Sequence, residues 1–280
     1  VRCTVDLPDP VGQRLALPAW IPGSYLIRDF ARNIVSIRAE AGGKPVALEK
    51  LDKHTWQAAA LKHPTALTVV VEVYAWDLSV RGAHFDETHA FFNGTSVFLR
   101  VIGQEESPCH VDIQPPAGER YKDWRVATAM NPVQAAGDKR GNARRHGFGL
   151  YGAENYDELI DHPVEMGRFS HATFEACGVP HEIVITGRHD CDMSRLCRDL
   201  KRICEWQIRF FGEPAPMSRY VFLVTAVGSG YGGLEHRAST ALLCSRNDLP
   251  YAGMTGLPEG YRTFLGLCSH EYFHTWNVKR

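Results

Sequence analysis

The chain has 280 residues, of which 44% are hydrophobic and 22% are charged, so it can form one large domain or two ordinary ones. Lysine and arginine number 31 against 32 acidic residues, which gives a formal net charge of −1. Proteins that bind nucleic acid or membrane surfaces through charge need a basic excess, so the composition argues against both classes. No apolar run reaches the roughly 20 residues of a membrane helix, which argues against membrane insertion.

The eight cysteines are scattered and show no C-x-x-C spacing. This distribution indicates buried or free thiols and favours a reducing compartment. The cytoplasm is therefore expected, with the periplasm as the alternative. Because the chain begins at Val1 rather than at methionine, a leader removed during processing is compatible with the sequence.

The N-terminal part of the chain has the pattern of a β domain. Leu67 to Val73 alternates at the period of two that is typical of a strand. Ser96 to Ile102 predicts a second strand, entered from a turn at Asn93-Gly94, because both turn residues tolerate positive φ. Proline and glycine recur between such segments. A β-sandwich-like domain is therefore predicted over residues 1–170.

Three clusters of charged residues in this part have structural and functional interpretations. Residues 131–149 form a polar, glycine-rich stretch that contains the basic residues Lys139, Arg140, Arg144 and Arg145. This stretch is interpreted as a solvated loop, with a site for phosphate or an acidic partner as the alternative. A second cluster has the residue types of a metal site, but strand alternation favours a polar hairpin edge for His84, Asp86, Glu87 and His89. An acidic stretch is interpreted as a solvated surface, with Asp157, Glu158, Asp161 and Glu165.

The pattern becomes helical after about residue 172. Apolar residues three and four apart predict a helix that begins after Asp190 or Asp192 and ends at Gly212. Tyr220 to Val227 predicts a short buried strand. A second domain is therefore predicted over residues 171–280, which makes the fold class α+β.

Residues 258–280 predict a final helix. Pro258 suits its first turn, and the apolar stripe of this helix consists of Phe264, Leu265, Cys268 and Tyr272. The helix contains the segment His270-Glu271-Tyr272-Phe273-His274. Residues four apart share a helix face, so His270 and His274 can bind one Zn²⁺ ion, with Glu271 beside them as general base. Zinc would acidify a water molecule, and Glu271 would carry its proton to the leaving amine.

Such a zinc site uses a third protein ligand. The chain stops at Arg280, so this ligand is expected beyond Arg280, on a later helix of a longer protein. The 280-residue chain alone is accordingly expected to bind zinc weakly or not at all.

A competing motif precedes the helix. Gly228, Gly230 and Gly233 follow a predicted strand as G-x-G-x-x-G, the spacing of a dinucleotide site. That site also needs a helix starting at the glycines and an acidic residue about 20 positions later, which the sequence lacks. Close backbone approach to a peptide substrate is the preferred interpretation. Glu235 would then meet the free α-amino group of the peptide.

Together these residues resemble the glycyl aminopeptidase family of zinc metallopeptidases, metallopeptidase family sixty-one. One block of the resemblance is Pro18-Ala-Trp-Ile-Pro-Gly-Ser-Tyr25 with Ile27-Arg-Asp-Phe30. A second is Asp86-Glu-Thr-His-Ala-Phe-Phe-Asn-Gly-Thr-Ser-Val-Phe98. The third combines Gly232-Gly-Leu-Glu-His236 with Ser269-His-Glu-Tyr-Phe-His-Thr-Trp-Asn-Val-Lys-Arg280.

The resemblance implies an N-terminal β domain followed by the first part of a thermolysin-like zinc peptidase domain. It implies zinc ligation by His270 and His274, and catalysis by Glu271. It also implies a substrate-binding strand, with Gly232, Gly233 and Glu235. His236 departs from the pattern, because related aminopeptidases usually have asparagine there.

The function that these features favour is a zinc-dependent aminopeptidase that releases Gly or Ala from the amino end of peptides. The alternatives are a truncated, non-catalytic peptide-binding module and a zinc endopeptidase on the same helix. The only partner that the sequence predicts is the peptide substrate.

Overall fold

The computed structural model describes residues 1–133 and 144–279, and the chain divides into two compact units. The first unit consists of Val1–His84, Phe92–Cys109 and Ala153–Asp161. The second consists of Phe85–Phe91, His110–Gly152 and His162–Arg280. Each unit is thus assembled from separate segments. The sequence predicts one boundary, near residue 170, and that boundary stays a prediction.

Strands dominate the described part of the chain. In chain order they are β1 Arg2–Val5, β2 Arg14–Ala16, β3 Ile34–Ala41, β4 Lys44–Val46, β5 Leu48–Lys50, β6 Thr55–Ala58, β7 Leu67–Val73, β8 Ala83–Phe85, β9 His89–Phe92, β10 Arg100–Val101, β11 Cys109–Ile113, β12 Arg125–Thr128, β13 Asn131–Pro132, β14 Gly149–Ala153, β15 Val164–Gly167, β16 Phe169–Ala176, β17 Val179–Thr186, β18 Tyr220–Val227, β19 Tyr231–Glu235 and β20 Ser239–Ser245. The α-helices are α1 Tyr156–Ile160, α2 Met193–Phe211 and α3 Glu259–Phe273. Short 3-10 helices span Phe30–Asn33, Gly94–Ser96, Glu119–Tyr121 and Arg246–Asp248. No helix in the described ranges is long and apolar enough to cross a membrane.

The first unit contains two antiparallel sheets, ordered β1-β7-β3-β4 and β10-β2-β6-β5. The strand predicted at Leu67 to Val73 is confirmed as β7. Its alternate side chains, Leu67, Val69 and Val71, are buried, as expected of a strand with one face on a core.

The strand predicted over Ser96 to Ile102 is confirmed only near its end, where Arg100–Val101 form β10, and Gly94–Ser96 form a 3-10 helix. Gly94 packs so closely against the backbone of Ile160 that a Cβ atom would lie 2.7 Å from its Cα. The Ser96 hydroxyl donates to the Asn93 carbonyl at 2.7 Å. These contacts hold the segment in a buried 3-10 turn instead of a hairpin.

The second unit is built on a mixed sheet ordered β16-β17-β18-β20-β19. Strands β17, β18 and β20 are parallel, and both edge strands are antiparallel to their neighbours. The predicted strand β18 is confirmed. One face packs against α2 and α3, with Tyr220, Phe222 and Val224 in that core. The opposite face forms a smaller core that includes Val221 and Leu223. Burial on both faces explains the nearly continuous apolar run of β18.

Helix α2 confirms the predicted start and stop signals. The Asp192 carboxylate accepts from the Arg195 backbone N–H at 2.9 Å, which caps the first turn. Gly212 ends the helix with φ 96° and donates to the Ile208 carbonyl, a conformation that favours glycine. The predicted apolar side of the helix contributes Leu196, Leu200 and Cys204 to the core.

Helix α3 begins at Glu259, one residue after the predicted start, with Pro258 as its N-cap, and it ends at Phe273 rather than continuing to residue 280. The next residues form tighter turns, in which Thr275 and Trp276 donate to the carbonyls three positions earlier. Val278 has φ 120°, which is incompatible with a helix. The predicted apolar stripe is buried. The α+β class is confirmed.

Members of the charged clusters that lie in the second unit have structural partners there. Asp86 Oδ1 accepts from Thr88 and His89 in a turn. Glu165 is buried, not solvated as expected, and its Oε1 lies 3.0 Å from His89 Nδ1. Arg145 donates to Glu182 at 2.6 Å. One of the four basic residues of the 131–149 stretch is therefore paired with a carboxylate of the same chain. Lys139 and Arg140 lie outside the described residues.

Candidate active site

The two histidines of the His-Glu-x-x-His segment lie on the same side of α3, as their spacing predicts. The Nε2 atoms of His270 and His274 are 3.1 Å apart. The His270 side chain is exposed, and that of His274 is half-buried. The two rings therefore meet at an accessible surface of the second unit rather than in an apolar core.

The hydrogen-bond partner of His274 fixes its tautomer. His274 Nδ1 lies 2.9 Å from the Asn277 carbonyl oxygen, and a carbonyl can only accept. Nδ1 therefore carries the proton, and a neutral ring presents the Nε2 lone pair towards His270. Asn277 thus orients the ring from the turn after the helix. In the same turn, Trp276 stacks on Phe211 of α2 at 5.0 Å.

Glu271 lies beside the histidines and against edge strand β19. Its side chain is buried, with 5% exposure. A Cβ atom at Gly233 would lie 2.5 Å from Glu271 Cδ and 2.6 Å from Cγ, and nearer still to Oε1. The φ angle of Gly233 lies outside the left-handed region, so its backbone conformation does not require glycine. Glycine is needed there because a larger residue would collide with Glu271. The sequence predicts a close approach at this glycine, but the group that approaches it is Glu271.

Glu235 ends β19 on the same side of the strand as Gly233, because alternate residues share a face. One ligand-type atom each from Glu235, Glu271 and His274 lies within 4.8 Å of the other two. Strand β19 is the edge of the sheet and pairs with β20 through residues 231–235. Gly232 is part of this pairing, opposite Leu243. An edge strand next to carboxylates and imidazoles is the kind of element against which an extended peptide can pair.

The glycine-rich run does not form a nucleotide site. It leads into β19, a strand, whereas a dinucleotide fingerprint must open a helix. Gly230 instead packs against Val227 and Leu243, and Gly228 has open space around its Cβ position. The nucleotide alternative therefore lacks its structural context.

A buried hydrogen-bond chain under α3 was not predicted. His181 Nδ1 lies 2.8 Å from the Val179 carbonyl, and His181 Nε2 lies 2.9 Å from the Tyr272 hydroxyl. Burial lowers the pKa of His181 to about 4, so the ring is neutral near pH 7. From α2, Gln207 donates to both the carbonyl and the hydroxyl of Ser269 at 2.9 Å.

These contacts join residues 62 and 91 positions apart. No local pattern in a single sequence indicates such pairs. The only available signal was that Gln207 and His181 are polar residues within apolar segments.

Comparisons with known proteins give consistent results. A family model described as the Peptidase M61 N-terminal domain matches residues 1–168, and one described as M61 glycyl aminopeptidase matches residues 263–280. A search of curated proteins found no match.

Two crystal structures illustrate the similarity of this fold to solved structures. One is an aminopeptidase N family protein from Idiomarina loihiensis, with 45% identity and a TM-score of 0.91 over 99% of this chain. The other is Legionella pneumophila aminopeptidase A in complex with aspartic acid, with 14% identity and a TM-score of 0.56 over 98% of this chain. The chain spans 45% of the first protein and 32% of the second. The predicted order, a sandwich-like β domain followed by the first part of a peptidase domain, is confirmed.

Proposed function

The chain belongs to the M61 peptidase family, and from that premise we propose that it is the part of a zinc-dependent aminopeptidase that carries two ligands and the general base. Its substrates are peptides with a free amino end and a small first residue, Gly or Ala. The observation that carries the proposal is the convergence of His270, Glu271 and His274 beside the edge strand β19.

The donor set fits zinc. Two nitrogen ligands at about 2.0–2.1 Å from a tetrahedral ion lie roughly 3.3 Å apart, close to the 3.1 Å between the Nε2 atoms of His270 and His274. The Asn277 carbonyl leaves His274 Nε2 deprotonated, which is the form that a metal ion requires. Bound zinc would supply Lewis acidity that acidifies a water molecule and polarises the scissile carbonyl.

Glu271 performs the proton transfers in this proposal. Its carboxylate lies beside the ligands without being needed as one, so it can take a proton from the attacking water and deliver it to the leaving amine. Gly233 allows the carboxylate to reach this position. The close packing also restricts its rotation, and a general base is most effective when it is held in its reactive geometry.

Glu235 and β19 select the amino end of the substrate. A peptide paired with the edge of β19 would run past Glu271, and Glu235 would bind its terminal ammonium group through a charge-assisted hydrogen bond. The short distance between the carboxylates of Glu235 and Glu271 leaves room for about one residue before the scissile bond. That spacing favours an aminopeptidase over an endopeptidase.

The test compares zinc binding and hydrolysis in the full-length gene product, because two imidazoles are fewer than the usual three protein ligands. The wild type should bind one Zn²⁺ and cleave Gly- and Ala-anilides, but not their N-acetylated forms. Glu271→Gln is the matched control. It should keep the zinc and lose most of kcat, because it removes the base and no ligand.

Different outcomes would overturn different parts of the proposal. A protein without zinc or hydrolysis would support the non-catalytic peptide-binding module. Equal cleavage of free and acetylated substrates would support the endopeptidase.

A further inference from the structure

We propose that the hydrogen bond from Tyr272 to His181 is a positioning device, which fixes the rotation of α3 about its axis and so places His270, Glu271 and His274 relative to β19. The inference rests on the proposed zinc aminopeptidase function. His181 and Tyr272 are positioning residues, since neither reaches the metal ligands or the edge of β19.

The argument begins with the helix period. Tyr272 is two residues from both His270 and His274, and two residues turn an α-helix by about 200°. Tyr272 therefore points away from the ligands and into the core, where it is fully buried. Its ring packs on Tyr220 at 4.8 Å and on Trp276 at 5.4 Å. Any rotation of the helix moves the hydroxyl and the ligands in opposite directions.

The hydrogen bond has a defined direction. The Val179 carbonyl can only accept, so His181 Nδ1 carries the ring proton of the neutral imidazole. Nε2 is therefore an acceptor, and the Tyr272 hydroxyl donates to it at 2.9 Å. Both side chains are at most 1% exposed. Breaking the bond would leave the buried Nε2 atom of His181 without its donor, which disfavours other rotations of the helix.

The hydrogen bond attaches α3 to the same sheet that contains β19, the proposed substrate-binding strand. His181 lies on β17, and Gly233 and Glu235 lie on β19, three strands along in the order β17-β18-β20-β19. One rigid sheet therefore sets the positions of the helix and of the peptide. A rotation of about 10° would move side-chain atoms ~6 Å from the helix axis by about 1 Å, and a misplacement of that size is enough to disturb a catalytic geometry.

A second set of hydrogen bonds holds α3 in place when the bond between Tyr272 and His181 is removed. Gln207 on α2 binds the carbonyl and hydroxyl of Ser269, next to the first ligand. Tyr272→Phe keeps the aromatic packing and these hydrogen bonds. It should therefore leave α3 folded and loosen only its rotation.

The experiment uses the full-length gene product and three measurements: zinc affinity, kcat and KM. Tyr272→Phe and His181→Phe should each lower zinc affinity and kcat by about 10–100-fold, the usual effect of losing a group that orients metal ligands. KM should change much less, because Glu235 and the β19 backbone are untouched. His181→Gln places an acceptor where Nε2 was and should restore most of both quantities.

The matched control is Tyr261→Phe, on the first turns of the same helix. Tyr261 is as buried as Tyr272, and its hydroxyl donates to Asp199 at 2.7 Å. This variant should lose comparable stability but keep zinc affinity and kcat within about threefold, because its bond lies far from the ligands.

The outcomes separate this inference from the proposed function. An active wild type whose Tyr272→Phe variant behaves like Tyr261→Phe would overturn the positioning role alone. A wild type that neither binds zinc nor cleaves would overturn both. Independently of activity, ¹⁵N NMR should find the His181 proton on Nδ1, and a proton on Nε2 would overturn the hydrogen-bond direction on which the inference depends.

Discussion

Replacing Gly233 with alanine should displace Glu271, the proposed general base, without touching either proposed metal ligand. The new Cβ would lie 2.5 Å from Glu271 Cδ, whereas ordinary contact begins near 3.4 Å. The carboxylate must therefore retreat by about 1 Å, and a misplacement of that size typically lowers a rate by about 10²-fold. The corresponding rise in the activation barrier is about 2.7 kcal/mol, at 1.36 kcal/mol for each tenfold change.

The assay is steady-state hydrolysis of a Gly-anilide by the full-length gene product, together with zinc content. Gly233→Ala should lower kcat and retain the metal. The control is Gly228→Ala, in the same glycine-rich run. A Cβ there meets nothing within 4 Å and φ is not left-handed, so its kcat should stay within about twofold of wild type.

A double-mutant cycle identifies the route of the effect. If alanine acts through Glu271, it should cause little further loss in a Glu271→Gln background, because the base is already absent. The reasoning would be refuted by a Gly233→Ala enzyme with wild-type kcat. It would also be refuted by a loss that is equally large in the Glu271→Gln background.

Two further predictions concern other carboxylates. Glu235→Ala should raise KM for peptides with a free amino end and change hydrolysis of acetylated peptides much less; equal losses on both would make Glu235 a structural residue of β19. Burial disfavours the charged form of His89, but the hydrogen bond and charge of Glu165 outweigh it, so the pKa of His89 is raised above 6.5. The stability that this pair contributes is therefore fully present below the unfolded pKa of the histidine and is lost as the pH rises through its raised folded pKa. Urea unfolding should show that Glu165→Gln loses more free energy of unfolding at pH 6 than at pH 9. An equal loss at both pH values would contradict the assignment.

Local patterns predicted the elements that depend on local chemistry. The caps of α2 and the apolar run of β18 were readable because a capping carboxylate, a terminal glycine and a doubly buried strand each leave a mark within a few residues. The convergence of His270 and His274 followed from helix geometry alone. Their roles as ligands stay a prediction, as do those of Glu271 and Glu235.

Errors arose where distant packing outweighed local preference. Ser96 to Ile102 has strand character, yet contacts of Gly94 with Ile160 impose a turn at its start. Glu165 belongs to an acidic stretch, yet a histidine 76 residues away holds it in the interior. The contact between Gly233 and Glu271 is another example of distant packing. The sequence allows a close approach at Gly233 but does not identify the side chain that makes it.

The position of His274 has a thermodynamic consequence. His274 is the C-cap of α3, so one of the two facing imidazoles belongs to the regular helix and the other to the residue that caps its end. Helix ends fray at low free energy, and a frayed end would carry His274 away from His270. A cation that bridges the two rings must therefore supply the free energy of closing this turn. By linkage, the free energy of ordering the turn weakens the affinity for the cation, and the bound cation in return stabilises the closed turn by the same amount. Hydrogen exchange at residues 273–277 should accordingly slow as the ion binds.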